Sequence, residues 1–202
     1  SALPAGGFQP IAATGTLLTA STSTTGAVFP VALPQPIRYY GDDVSTLYVS
    51  QHGWMSTTAI TAPTSTNRTE PSSTAPMGSI APFWDLMSAG AAMTTGLFWQ
   101  QLDPDGLPAT GDEVTIVSWE AFRSSTSTLY NLNFQTKFFA NGDIEYHYGT
   151  MSSTSTTATV HQGSSATSWL ESRDNLAALA INVSSVSPGI QPNTAFRFTY
   201  TP

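Results

Sequence analysis

The chain has 202 residues, no cysteine, six basic and thirteen acidic residues, and a net charge of −7 at pH 7. This balance excludes a nucleic-acid-binding surface and a basic membrane-binding surface, since both require clustered Lys and Arg. No apolar run approaches the roughly 18 residues of a membrane span, and no signal-peptide pattern is present, so we expect neither in this chain. Disorder is excluded as well, because 40% of the residues are hydrophobic and 11% are aromatic.

Short runs in which apolar and polar residues alternate recur along the chain and predict β-strands. Residues 129–138 alternate clearly, with Leu132, Phe134 and Phe138 on one face. Asn141-Gly142-Asp143 then predicts a hairpin turn, followed by a strand at residues 143–148. The other predicted strands are residues 13–19, 44–50, 53–58, 79–84, 96–102, 114–119, 157–162, 177–183 and 195–200.

This pattern predicts an all-β fold, a two-sheet antiparallel β-sandwich that is jelly-roll-like, with little or no helix. Fourteen prolines and fifteen glycines are spread along the chain, and they would interrupt long helices. Only residues 169–180 could form a turn or two of helix. We interpret residues 1–10 as an N-terminal arm or linker and residues 11–202 as a single β-sandwich domain.

Several short motifs, read in chain order, carry a family resemblance. They are Tyr39-Tyr40-Gly41, Leu47-Tyr48-Val49-Ser50, His52-Gly53-Trp54, Ile80-Ala81-Pro82-Phe83-Trp84-Asp85, Val114 to Trp119, Leu132 to Gln135, Asn141 to Tyr146 and Asn193 to Phe198. In this order they resemble the nidogen-like (NIDO-like) extracellular modules of large secreted and cell-surface proteins, of the bacterial type. The resemblance covers roughly residues 11–200. His52 stands where the family usually has Asn, and Leu86 where a second acid is common.

The resemblance implies a non-catalytic structural or adhesion module of a secreted or cell-surface protein. We therefore expect the module to be part of a larger parent protein, located outside the cell, and to bind an extracellular protein or a matrix partner. The absence of cysteine does not define a compartment, because disulfides outside the cell are allowed but not required.

An alternative function is carbohydrate binding of a lectin-like kind. Phe83 and Trp84 are consecutive in a predicted strand, so they must point to opposite faces, and one of them could face outward. Trp169 lies in a loop-like context and is a second candidate for an exposed ring on which a sugar stacks. Trp84, Trp169 and His52 are the candidate ligand-binding residues, although core packing is the commoner role of such aromatic side chains.

Acidic residues cluster between residues 103 and 112. Asp103, Asp105 and Asp112 are candidate ligands of a structural calcium ion, because calcium requires several oxygens that converge in one loop. Position twelve of this loop is Val114 and not Glu, so the loop is not an EF-hand. Asp-Pro and Asp-Gly also form ordinary turns, which is the alternative interpretation. We expect no other cofactor.

A jelly-roll glycanase is the third and least favoured function. It would require two carboxylates about 5–10 Å apart, which Glu120, Glu145 and Asp143 could supply across adjacent strands. No nucleophile elbow and no zinc-protease motif is present, so we predict no catalytic residues and no enzyme activity. Glu145 and His147 share the polar face of their strand and are expected to pair at the surface. Lys137 is expected to be a solvated lysine.

Overall fold

The computed structural model describes residues 7–66, 77–90, 95–107, 110–124, 129–153, 166–174, 176–182, 190 and 192–201. These residues form strands and turns, and no helix occurs among them. The strands are β1 (Thr16–Thr19), β2 (Val28–Tyr39), β3 (Asp42–Ser50), β4 (Trp54–Ser56), β5 (Ser79–Trp84), β6 (Met87–Ala89), β7 (Gly96–Leu102), β8 (Val114–Ser124), β9 (Leu129–Tyr130), β10 (Leu132–Phe139), β11 (Ile144–Tyr148), β12 (Ser152–Ser153), β13 (Thr167–Glu171), β14 (Ala178–Asn182) and β15 (Thr194–Phe198).

The strands form two main antiparallel sheets. Sheet A has the order β1-β7-β8-β10-β11-β15, with β6 pairing β8, and sheet B has the order β14-β13-β5-β4-β3-β2. Strands β9 and β12 form a separate two-stranded ribbon. The all-β, two-sheet antiparallel sandwich predicted from the alternation of side chains is therefore confirmed.

One large hydrophobic cluster lies between the sheets and joins them. Sheet A contributes Trp119, Phe134 and Tyr146, among others, and sheet B contributes Leu47 and Phe83. A hydrogen bond also crosses the gap, since the Tyr146 hydroxyl donates to the Trp169 carbonyl at 2.6 Å. Burial raises the pKa of the Tyr146 phenol well above its ordinary value, which keeps this donor protonated.

Several strand predictions are confirmed residue by residue. The predicted strands at residues 79–84 and 96–102 have the bounds of β5 and β7. The predicted hairpin joins β10 to β11, with Gly142 at a φ of 91° that favours glycine and its amide donating to the Phe139 carbonyl at 2.9 Å. The predicted strand at residues 157–162 lies outside the described residues.

The prediction of a helical turn at residues 169–180 was wrong. This segment contains most of β13, a turn, and the start of β14, which pairs with β13. Trp169 and Leu170 point to opposite sides of sheet B, as neighbours in a strand must. Both side chains are buried, one on each side of the sheet, and this burial favours a strand over the helical turn predicted from the local sequence.

Strand β2 was not predicted, because prolines interrupt it. Pro30, Pro34 and Pro36 lack the amide that a central strand needs. The strand lies at the end of sheet B, and its register with β3 shifts between Ala32 and Ile37, where two of the prolines occur. An edge strand tolerates proline because one of its sides has no strand partner.

Each sheet also has an outer face, and each outer face is covered by a segment without regular structure. On sheet A the outward side chains are largely polar and include Glu120, Gln135, Lys137, Glu145 and His147, which we call the polar face. Residues 7–11, which we call the arm segment, lie across it.

On sheet B the outward side chains Trp54, Trp84 and Trp169 come from the adjacent strands β4, β5 and β13, and we call them the tryptophan face. Ile60 packs against these side chains, and the Thr64 carbonyl is hydrogen-bonded to two of them. We call residues 57–66 the cover loop.

Candidate functional site

The three predicted metal ligands lie together in the loop between β7 and β8. One carboxylate oxygen of each of Asp103, Asp105 and Asp112 lies within 4.8 Å of the others, and all three side chains are exposed. A local turn brings Asp103 and Asp105 together. Asp103 Oδ1 accepts from the Gly106 amide at 2.8 Å, and Gly106 has a φ of 71° that favours glycine.

The electrostatics of this cluster are those of an anionic site. Partial desolvation raises the pKa of Asp103, and the neighbouring Asp105 and Asp112 raise it further, while the hydrogen bond from Gly106 lowers it. A divalent cation would relieve the repulsion among the three carboxylates. Calcium takes six to eight oxygens, so three carboxylates would leave positions for carbonyl or water oxygens. Calcium binding by Asp103, Asp105 and Asp112 stays a prediction.

The expectation that Trp84 or Trp169 presents an exposed ring was wrong. Trp84 has 0% and Trp169 has 1% of its surface exposed. Trp84 stacks on Trp54 with 4.7 Å between ring centroids and lies 5.1 Å from Trp169. Phe83 and Trp84 do point to opposite faces of β5, but the outward-facing ring is covered by another segment of the chain.

The cover loop closes this face with both apolar and polar contacts. Ile60 packs against the tryptophan cluster. The indole nitrogens of Trp54 and Trp84 both donate to the Thr64 carbonyl, at 2.8 and 3.2 Å, and that of Trp169 donates to Ser79 Oγ at 2.8 Å. A sugar stacks on an exposed ring, so this arrangement removes the reason for assigning Trp84 and Trp169 to a carbohydrate site.

His52, the third predicted ligand-binding residue, is a buried structural side chain. It is 1% exposed, and its Nδ1 accepts from the Met87 amide at 3.1 Å. Burial lowers the pKa of His52, which favours the neutral imidazole that this hydrogen bond requires. The next residue, Gly53, has a φ of 77°, and a Cβ there would lie 1.9 Å from the Phe83 carbonyl oxygen. The His52-Gly53-Trp54 motif thus builds the contact between the β3–β4 turn and β5.

Two predictions about the polar face of sheet A were wrong, because side chains that were expected to be exposed to solvent are buried. Lys137 was expected to be solvated, yet it is 4% exposed, and its Nζ donates to the Gly7 carbonyl at 2.9 Å. Glu145 and His147 do pair, with 2.7 Å between Oε2 and Nε2, but both are buried. Burial lowers the pKa of Lys137, and the charge of Glu145 opposes this shift. Alternation identified the outward face but not the chain that covers it.

Glu120, a second of the three carboxylates predicted for the glycanase alternative, is also hydrogen-bonded within the fold. Its Oε1 accepts from the Ile11 amide at 2.6 Å and from Ser118 Oγ at 2.9 Å. Glu145 contacts His147, and Arg197 lies 3.6 Å from its other oxygen. Glu120 lines a cleft of about 730 Å³, but Glu145 is not among the residues that line it.

An apolar cleft that was not predicted as a site lies where the edges of the two sheets approach one another. Its volume is about 570 Å³, and its lining includes Tyr40, Ile144, Leu170, Leu179, Phe198 and Tyr200. Leu179 is 55% exposed and Tyr40 is 46% exposed. The sequence feature that could have indicated this cleft was the apolar run at residues 177–183, which we interpreted only as a strand. β14 and β15 are terminal strands of their sheets.

Comparison with known proteins identifies a family. The family model described as "NIDO related" matches residues 2–202, nearly the whole chain. No curated protein and no solved structure matches the chain. Among the described residues there is no helix that is long and apolar enough to cross a bilayer.

Proposed function

The chain belongs to the NIDO-related family, which suggests an extracellular module of a larger protein. We propose that it is a non-catalytic module through which a secreted or cell-surface protein binds a protein or matrix partner. The observation that carries the proposal is the apolar cleft at the edge of the sandwich, lined by Tyr40, Leu170, Leu179 and Phe198. Exposed apolar surface is one of the features that mark protein-interaction sites and ligand-binding grooves.

The remaining surfaces favour this function over its alternatives. The aromatic rings that would stack on a sugar are buried beneath the cover loop. The carboxylates Glu120 and Glu145, which a glycanase would need, are buried and held by hydrogen bonds within the fold. The cleft therefore supports a partner that inserts an apolar side chain, and an extracellular protein has such side chains to offer.

The test compares two exposed leucines of similar accessibility. Leu179 is 55% exposed in the cleft, and Leu107 is 59% exposed in the β7–β8 loop. Binding of the chain to immobilised collagen, laminin and fibronectin is measured by biolayer interferometry, with a glycan array in parallel. We expect saturable binding to a matrix protein that Leu179→Lys weakens at least about tenfold, the loss of one buried leucine contact, while Leu107→Lys leaves it unchanged.

Three outcomes would contradict the proposal. They are specific sugar binding on the array without protein binding, matrix binding that Leu179→Lys and Leu107→Lys affect equally, and no binding to any of the three matrix proteins. Circular dichroism of both variants would establish that each is folded, so that a loss of binding reports on the surface.

A further inference from the structure

The arm segment is held on the polar face chiefly through its main-chain atoms. The Ile11 amide donates to Glu120 Oε1 at 2.6 Å, and the Gln9 amide donates to Gln135 Oε1 at 3.1 Å. Gln135 Nε2 donates back to the Gln9 carbonyl at 2.8 Å, and Lys137 Nζ donates to the Gly7 carbonyl at 2.9 Å. Four main-chain groups of one extended segment are therefore bonded to three side chains of the sheet.

The three side chains that make these bonds belong to the sheet and are buried. Glu120 is 4% exposed, Gln135 is 0% exposed and Lys137 is 4% exposed. Glu120 is oriented by Ser118 Oγ at 2.9 Å and by the irregularity in β8 beside it, where Ala121 has a φ of 53°. The sheet thus presents fixed hydrogen-bonding groups, and a buried ammonium or carboxylate that loses its partner is costly.

Two apolar side chains fix the ends of the arm segment. Phe8 packs over Gly149 so closely that a Cβ at Gly149 would lie 2.8 Å from its ring. Ile11 packs with Phe98 and Ile116 in a small cluster of its own. The segment therefore has an apolar residue at each of two positions that are separated by two residues. The sheet binds main-chain atoms of the segment as well as these two side chains.

Open clefts flank both ends of the segment, so it lies in a groove wider than itself. One cleft, of about 310 Å³, is lined by Gly7, Phe8 and Gly149, among others. The other, of about 730 Å³, is lined by Pro10, Glu120 and Asn133, among others. The segment joins β1 through a short turn in which the amides of Thr14 and Gly15 donate to the Ile11 carbonyl.

We propose that the polar face is a binding groove for an extended peptide segment, and that the arm of a second copy of the chain can occupy it in place of the groove's own arm. Side chains that recognise main-chain atoms cannot distinguish which copy carries those atoms, so both occupants make the same contacts. This proposal is independent of the protein or matrix partner proposed above, which binds at the other, apolar cleft.

The local concentration of the attached arm determines which occupant is favoured. A segment tethered by a short turn has an effective concentration in the millimolar range, so the groove's own arm is favoured in dilute solution. A turn that is too short to fold back would reverse this preference, as in other domain-swapped proteins. Exchange should therefore appear when the turn is cut or shortened.

The first experiment cuts the turn in the folded protein. A protease site is inserted after Ala13, the chain is cleaved, and a fluorescent peptide of residues 1–13 is added while its anisotropy is measured. We expect saturable binding that unlabelled peptide competes away and that Lys137→Met weakens about tenfold or more, because a hydrogen bond to a charged group is lost. Arg38→Met, which changes an exposed cation on β2, is the matched control.

The second experiment deletes residues 12–14 from the otherwise intact chain. The deletion removes the turn that folds the arm back onto its own groove. We therefore expect dimers or larger assemblies by light scattering, which the additional change Lys137→Met shifts toward monomer. Two results would overturn the proposal. They are the absence of peptide binding to the cleaved protein at 1 mM, or binding that Lys137→Met and Arg38→Met affect equally. A strictly monomeric deletion variant would overturn exchange between copies.

Discussion

The polar face and the tryptophan face are both outer faces of a sheet covered by irregular chain, yet the two covers are held by different forces. The cover loop adds apolar contact to three tryptophans, and one carbonyl, that of Thr64, accepts from two of their indoles. The arm segment bonds through its main chain to Glu120, Gln135 and Lys137. The cover loop thus depends mainly on side-chain packing, whereas the polar contacts of the arm segment are mainly to main-chain atoms, which another peptide also offers.

The largest expected effect is at the centre of the tryptophan face. Trp84→Ala removes a fully buried ring that contacts two other tryptophans. We expect the free energy of unfolding in urea to fall by about 4 kcal/mol, while Leu107→Ala at the exposed loop changes it by less than about 0.5 kcal/mol. A loss below about 2 kcal/mol for Trp84→Ala would show that the cover loop does not seal this face.

The second largest loss of stability is expected in the turn that positions Trp54 on the same face. Gly53→Ala places a Cβ 1.9 Å from the Phe83 carbonyl oxygen at a φ of 77°. We expect a loss of about 3 kcal/mol in unfolding free energy, from overpacking added to the cost of the left-handed conformation. Gly106→Ala is the control, because Gly106 has a φ of 71° with nothing within 4 Å of the added Cβ.

Only the conformational cost of about 1 kcal/mol should appear in Gly106→Ala. Equal losses in the two glycine variants would contradict the close approach of the β3–β4 turn to β5. Equilibrium unfolding of both variants under the same conditions measures the difference directly, since errors of extrapolation then largely cancel.

A third test compares the two buried histidines through pH. Burial lowers the pKa of both His52 and His147 from 6.5. Below about pH 6.5 the unfolded chain therefore binds protons that the folded chain does not, so stability falls as pH falls and is unaffected by these groups above that pH. Each histidine contributes a slope of at most about 1.4 kcal/mol per pH unit.

His52→Gln and His147→Gln should each flatten the dependence of unfolding free energy on pH between about pH 5.5 and 6.5. Urea unfolding at intervals across this range measures the slope for the wild type and for each variant. An unchanged slope in His147→Gln would contradict the lowered pKa of His147 and would show that its pairing with Glu145 offsets the burial of the imidazole.

The smallest expected effect is at the acidic loop, which belongs to neither face. With calcium at ten times a millimolar-range Kd, binding would add about 1.4 kcal/mol of stability and raise the melting temperature by about 4 °C. Asp105→Asn should abolish this shift, and Asp42→Asn, at an exposed carboxylate that pairs with Arg173, should leave it intact. An identical melting temperature with calcium and with a chelator would contradict a calcium site.

The candidate residues were predictable to different extents, for a physical reason. Asp103 and Asp105 are brought together by a turn that Asp-Pro-Asp-Gly forms locally, so the proximity of these two could be inferred from spacing, whereas that of Asp112 could not. Trp84 was correctly placed on a strand, and Trp169 was wrongly placed in a loop. Core packing was the commoner role for both, but the segment that buries them could not be identified from the sequence. The cover loop that buries them is not part of either strand.

Period-two alternation and short turn motifs were enough to predict an all-β sandwich, because the two faces of a strand and the geometry of a tight turn depend on neighbouring residues alone. The same pattern predicted Lys137 and His147 to face outward, and they do. Whether an outward side chain meets water depends on contacts such as those between Lys137 and Gly7, which are 130 positions apart. Such contacts depend on the tertiary fold, because the entropy cost of closing a loop of that length must be compensated by burial elsewhere in the molecule.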